Sequence, residues 1–162
     1  MTIRNVSTEE ELKIVIEPLQ EIDLKKISIT RYFFDWKAVA NETNVYKLRL
    51  KGNDDILGLM ALIDHPREQR IEVKLLAVSR ENVILLHEIN KKINVYEEMA
   101  GNLLAFAAKM AMTKYGELAC ISLVPKTELK EHYMQEYGML DAGLSVYLEL
   151  KALQKLITTY KL

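Results

Sequence analysis

The stretch Tyr96-Glu97-Glu98-Met99-Ala100-Gly101-Asn102-Leu103-Leu104-Ala105-Phe106-Ala107 sets the reading of the whole chain. From Met99 onward its residues are strong helix formers. Leu103, Leu104, Ala107, Met110 and Ala111 fall on one apolar stripe, which predicts a long helix over 99–115 with Gly116 as its stop. The start of such a helix has backbone N–H groups without intrahelical partners and a partial positive charge, so it suits a phosphate or pyrophosphate. Gly101 has no Cβ and permits close approach of a ligand.

On the N-terminal side of this helix the pattern is that of strands. Residues 45–51 alternate with period two, Gly52-Asn53-Asp54-Asp55 is a turn signal, and an apolar strand follows over 56–63, which together read as a hairpin. Asp64-His65-Pro66 ends it. Over 70–78, Arg70, Glu72 and Lys74 share one face of a third strand and Ile71, Val73, Leu75 and Ala77 share the other. Residues 79–95 read as a loop-like connection with an ambiguous apolar piece at 83–86. On the C-terminal side, Leu118-Ala119-Cys120-Ile121-Ser122-Leu123-Val124 reads as a buried strand. Thr127 is placed to cap a helix running to about Tyr137 and ended by Gly138. A last strand is expected over 144–150 and a helix over 153–160. Strand, helix, strand, helix, strand in this order implies an α/β layered sheet.

The first 27 residues read differently. Thr2 to Val6 suits a short strand. Ser7 with Glu10 forms a capping-box pattern, and Leu12, Val15, Ile16 and Leu19 continue at helical spacing, so two helical pieces separated at Pro18 and reaching about Ile27 are expected. Tyr32-Phe33-Phe34-Asp35-Trp36 reads as a core or cleft-wall segment.

Composition bounds the function. The chain has 162 residues, 49% of them hydrophobic and 28% charged, which suits one globular domain over 1–162. A net charge of −1 gives no general pull toward nucleic acid or anionic lipid. No apolar run approaches the roughly 18 residues that span a bilayer, and no signal-peptide pattern is visible, so a cytoplasmic protein is expected. Cys120 is the only cysteine and cannot form an intrachain disulfide; it reads as an inert core residue ahead of a reactive thiol. His65, His87 and His132 lack metal-ligand spacing, so no metal is expected. There is no nucleophile elbow, P-loop or dinucleotide fingerprint. Leu153, Leu156, Ile157 and Tyr160 form a stripe that suits either a dimer surface or packing on the chain's own sheet.

With these elements in order, the chain resembles the GNAT (N-acetyltransferase) superfamily, and within it a divergent group of bacterial GNAT-like proteins. The residues carrying the resemblance are Ile56-Leu57-Gly58-Leu59-Met60-Ala61-Leu62, Glu72-Val73-Lys74-Leu75-Leu76-Ala77-Val78, the helix entrance quoted above, Val124-Pro125-Lys126-Thr127-Glu128-Leu129, and His132-Tyr133 ahead of Gly138. The family pattern at the helix entrance is Arg/Gln-x-x-Gly-x-Gly/Ala; here Tyr96 and Met99 replace its first two fixed residues and Gly101 keeps the third. The resemblance implies an α/β, GNAT-like fold with a mixed central sheet and helices on both faces. It implies acyl transfer from acetyl-CoA to an amine acceptor by direct attack in a ternary complex. It would place acyl-CoA in a V-shaped gap between the strand through Val78 and the strand through Cys120. Ala77 and Val78 would then hold the thioester carbonyl, Met99, Ala100, Gly101 and Asn102 the phosphates, and Lys126 a further phosphate. Glu72 lies where some members keep a general base, six residues before Val78; its plain alternative is a solvated charge between Arg70 and Lys74. Tyr133, five residues before Gly138 where the family spacing is four, would be the acid toward the departing thiolate, with His132 and Tyr137 as neighbouring alternatives. A GNAT-like module that binds a partner without catalysis is the other reading of the same departures.

Overall fold

A computed structural model describes residues 1–27, 44–79, 83–86, 91–94 and 96–162. The Tyr32–Trp36 aromatic segment lies outside the described residues. The chain divides into two compact units, residues 1–61 with 76–102, and residues 62–75 with 103–162. Strands β4 (Ile56–His65) and β5 (Arg70–Val78) and helix α2 (Met99–Tyr115) contribute residues to both. Among the described residues no helix is long and apolar enough to cross a membrane.

In the first unit, β1 (Thr2–Asn5), β2 (Glu11–Pro18), β3 (Val45–Leu50) and the start of β4 are joined in sequence by antiparallel pairing, and β8 (Tyr96–Glu97) adds to the far side of β1. Ile3, Ile14, Ile16, Leu48, Ile56 and Leu59 are buried in these strands. The helix expected over 7–17 is therefore a strand. Ile14-Val15-Ile16 is a β-branched run, which favours extended backbone, and burial alternates along it with Ile14 and Ile16 inside and Glu11 and Lys13 outside. Ser7 caps nothing: Asn5 Oδ1 accepts from the Ser7 N–H at 3.0 Å and the Thr8 N–H at 3.2 Å, closing a local turn that leads back into β2. Pro18 ends a strand, where its missing N–H costs little, and the second helical piece shrinks to α1 (Glu21–Leu24). The ambiguous piece at 83–86 is also a strand, β6 (Val83–Leu86), paired antiparallel with β7 (Lys91–Asn94) in a separate ribbon.

In the second unit the order is β10 (Leu140–Ala142), β11 (Ser145–Glu149), β9 (Cys120–Leu123), β5, then the end of β4. β5 and β9 run parallel and the other described pairs are antiparallel, so the sheet is mixed. Helix α2 matches its predicted bounds. It leads through a 3-10 turn (Gly116–Leu118) into β9, with Gly116 at φ +60°. Thr127 is not a side-chain cap; it begins a 3-10 turn (Thr127–Leu129) that tightens into α3 (Lys130–Tyr137). The final strand is a hairpin: Gly143 at φ +81° makes the turn, and Asp141 Oδ1 accepts from the Gly143 N–H at 2.8 Å and from Lys130 Nζ at 2.7 Å. Helix α4 (Leu150–Thr159) packs on β9 and β11, so Leu153 and Leu156 of the apolar stripe are covered by the chain's own sheet.

The first unit also contains a buried ion pair. Asp23 is 2% exposed and Lys47 8%. Asp23 Oδ2 accepts from Lys47 Nζ and from the Gln20 N–H, both at 2.8 Å, while Glu17 stands 3.4 Å from Lys47. Burial raises the Asp23 carboxyl's pKa, but the Lys47 and Gln20 hydrogen bonds outweigh it and hold the group below the usual carboxylate range. Burial likewise opposes the Lys47 charge, and the hydrogen bond to Asp23 reverses the sign and raises that pKa. A depressed folded-state pKa means that stability from Asp23 is present above its unfolded value of about 3.9 and is lost as pH falls through the folded value. We expect Asp23→Asn to cost on the order of 3 kcal/mol in urea unfolding at pH 7, because it removes the nearer carboxylate from a buried ammonium and leaves it only Glu17. The gap from the wild type should narrow under acid, and Asp23→Asn with Lys47→Met should recover much of the loss.

Candidate functional site

Helix α2 opens where the sequence places its phosphate-binding end. Glu98, just before the helix, is exposed and has φ +72°, a left-handed conformation uncommon for a residue with a Cβ. The first intrahelical bond runs from the Asn102 N–H to the Glu98 carbonyl at 3.0 Å, so the amides of Met99, Ala100 and Gly101 precede it. Met99, Gly101 and Asn102 are buried and Ala100 is half-buried.

Asn102 has a structural task that its sequence position does not announce. Its Nδ2 donates to the Thr2 carbonyl of β1 and to the Glu98 carbonyl, both at 2.8 Å. Its Oδ1 is buried with no hydrogen-bond partner among the described residues. The side chain therefore bolts the helix start to β1. Ala77 and Val78 end β5, Ala77 is buried, and the next amide, that of Ser79, donates to the Leu57 carbonyl at 2.6 Å. These residues, with Met99 to Asn102, all lie in the first unit; Glu72, Lys126 and Tyr133 lie in the second.

Two cavities are found in the second unit. One, of about 480 Å³, follows α2 along Phe106, Met110 and Thr113 and is walled by apolar atoms. The other, of about 440 Å³, carries the titratable groups: Glu68, Arg70, Glu72, Cys120, Ser122, Val124, Ala142, Ser145 and Tyr147 line it. Its floor follows from strand alternation. Ile71, Val73, Ile121, Leu123, Val146 and Leu148 are buried on one face, which leaves Arg70, Glu72, Cys120, Ser122, Ser145 and Tyr147 on the other.

Glu72 is half-buried, and its Oε2 lies 2.8 Å from Nε2 of His65, at the end of β4. Glu72 therefore has a specific partner beyond its strand neighbours Arg70 and Lys74. The turn between them, a 3-10 piece (Pro66–Glu68) closed by Gln69 at φ +50°, brings His65 back beside Glu72. His65 is the residue that sequence spacing misses, because the pairing crosses a hairpin. Cys120 is half-exposed in the cleft wall and not fully buried as expected. Burial, then the Glu149 charge, pushes its thiol pKa up, which suppresses the thiolate.

Tyr133 stands half-buried on α3, outside the cleft lining. It makes an edge contact with His132 at 5.7 Å between ring centres and a tilted one with Tyr137 at 6.0 Å. Burial raises the pKa of Tyr133, and that of Tyr137 far more, the latter reinforced by Tyr160 and Tyr133. The cap amide of Gly138, itself at φ +68°, donates to the Tyr133 carbonyl. Lys126 is exposed ahead of the 3-10 turn.

If Asn102 is a bolt, Asn102→Ala should cost about 1–3 kcal/mol in urea unfolding by leaving the Thr2 carbonyl unpaired, and should speed amide exchange in β1. An Asn102 whose only task were to meet a ligand would leave both quantities unchanged.

No protein-family model matches the sequence, and neither does any curated protein. Solved structures do match. A GNAT-family acetyltransferase from Listeria monocytogenes aligns with a TM-score of 0.61 at 13% identity over 93% of this chain and 100% of that one. An acetyltransferase of the same family from Elizabethkingia anophelis, with acetyl-CoA bound, gives 0.54 at 14% over 85% and 98%. N-acetylglutamate synthase from Neisseria gonorrhoeae, complexed with coenzyme A and N-acetyl-glutamate, gives 0.62 at 14% over 88% of this chain and 36% of that longer one. At such identities the likeness speaks for architecture alone: with its mixed sheet and long helix α2, the chain has the acyl-CoA N-acyltransferase fold of these GNAT-family structures.

Proposed function

We propose that the chain, read as one GNAT-like domain, transfers an acyl group, most simply acetyl, from acyl-CoA to an amine. The observation that carries this reading is the Glu72 carboxylate on a polar cleft, with one oxygen held by His65, in a fold that binds coenzyme A in several of the similar structures. The helix end fits an anion through the Met99, Ala100 and Gly101 amides and the missing Cβ of Gly101; the exposed Glu98 carboxylate works against one. When bound, acyl-CoA supplies the activated thioester.

The chain's own residues then have distinct tasks. Glu72 accepts the proton of the attacking amine, and His65, by donating to Oε2, turns Oε1 toward that proton. The amine nitrogen forms a bond to the thioester carbonyl carbon, the carbon–sulfur bond breaks, and Tyr133 donates its phenolic proton to the thiolate. Tyr133 is protonated at neutral pH, as a donor must be, while the burial that raises its pKa makes it a weaker acid. Ala77 and Val78 amides hold the carbonyl oxygen, and Lys126 offers a point charge to a phosphate. The side chain of Asn102 is left out of this set, because its amide is committed to Thr2 and Glu98.

The second reading, a binding module without catalysis, is favoured by Glu98 and by Met99 at the position of the family's first glycine. Calorimetry with acetyl-CoA separates the two. Binding that is lost in Gly101→Leu supports the transferase, and no binding at millimolar acetyl-CoA rejects it. With an acceptor in hand, Glu72→Gln should lower kcat by about 10²–10⁴-fold. His65→Gln, which keeps a donor toward Glu72, should lose far less than His65→Ala. Tyr133→Phe should lower kcat with little change in the KM for acetyl-CoA.

A further inference from the structure

We infer that the 440 Å³ cleft on β5, β9 and β11 binds an amine that also carries a carboxylate, that is, a small amino acid. The inference rests on the transferase reading for the chemistry that follows binding, but the binding itself is argued from the cleft. Its volume falls within the range of small-molecule sites, roughly 300–1,000 Å³.

The register fixes the layout. Glu72, Ser122 and Tyr147 are lateral neighbours across β5, β9 and β11, and Arg70, Cys120 and Glu149 form the adjoining row. Glu72 and Arg70 therefore stand two residues apart on one strand face, roughly 6.6 Å along β5. They present opposite charges at opposite ends of a short polar floor.

Arg70 is fixed before any ligand arrives. Its Nε and Nη2 both lie 2.7 Å from Glu68 Oε2, and Nη1 donates to Ser122 Oγ at 2.6 Å. Ser122 is only 6% exposed, so this anchor is built into the sheet. A guanidinium has five N–H donors. These contacts engage one on each nitrogen and leave one on each terminal nitrogen to meet a carboxylate. At the other end, His65 engages Oε2 of Glu72, and Oε1 is left for an ammonium or amine.

The charges select against simpler ligands. A plain amine satisfies Glu72 and leaves the Arg70 fork unused. A plain carboxylate meets Arg70 but also faces Glu68 and Glu72. Only a molecule bearing both groups matches both ends, and such matching is what confers specificity.

Saturation-transfer NMR on the full chain, with and without acetyl-CoA, tests this using three probes of similar length: 4-aminobutyrate, n-butylamine and butyrate. We expect 4-aminobutyrate to bind at least tenfold more tightly than either of the others. Arg70→Gln should erase its advantage over n-butylamine, Arg70→Lys should keep part of it, and Glu72→Gln should erase its advantage over butyrate. Equal binding of the three probes by the wild-type chain overturns the inference. So does the failure of all three in a chain that binds acetyl-CoA. A chain that binds no acetyl-CoA yet discriminates the probes in this order keeps the cleft assignment and overturns the transferase reading.

Discussion

The parallel pairing of β5 with β9 is the constraint on which the rest of the second unit depends. Parallel neighbours cannot be joined by a tight turn, so the chain must cross over between them, and α2 supplies that crossover. The pairing also decides which side chains share a face. Ile71 and Val73 lie beside Ile121 and Leu123 in the core, and this alone commits Arg70, Glu72, Cys120 and Ser122 to the opposite side. Shifting β5 by one residue would bury Arg70 and Glu72 and expose Ile71 and Val73. Hydrophobic burial on one face thus does the positioning for polar chemistry on the other.

Much of this was legible in the sequence. Helix α2 and strand β5 were readable to the residue, because a run of mostly helix-forming residues with one stripe over 99–115, and the alternation over 70–75, leave little choice of period. The failure at β2 has a physical origin. Leu12, Val15, Ile16 and Leu19 satisfy a helical spacing, while Ile14 and Ile16 satisfy a strand spacing, and the pairing offered by β1 and β3 decides between them. Local pattern could not contain that information. The strand expected over 144–150 is β11, whereas β10 has no sequence signal because Leu140-Asp141-Ala142 is too short to show a period.

For the site, residue types were easier to read than their partners. Glu72 could be singled out by its place ahead of Val78, but His65 belongs to another strand, and only the intervening 3-10 turn brings the two together. The sequence places Arg70 on the Glu72 face and names no partner for it; Ser122, fifty-two positions later, is its anchor. At Asn102 the position in a motif suggests a ligand contact, and the side-chain amide has a second task that no motif signals, fastening β1.

The Asp23–Lys47 pair has a role in choosing among alternative structures as well as in strength. On β3, Lys47 shares its face with Val45, whereas Tyr46 and Leu48 point to the other side. A slip of β3 by one position would put an aromatic or aliphatic side chain against Asp23 and leave a carboxylate in the interior with no cation. Burial on one face excludes slips of one residue in β2 and β3 and selects less sharply against slips of two, which keep the same side chains inside. A buried charge that loses its partner in other offsets makes the competing arrangements costly, and in this sense the ion pair works as a key for the register of β3.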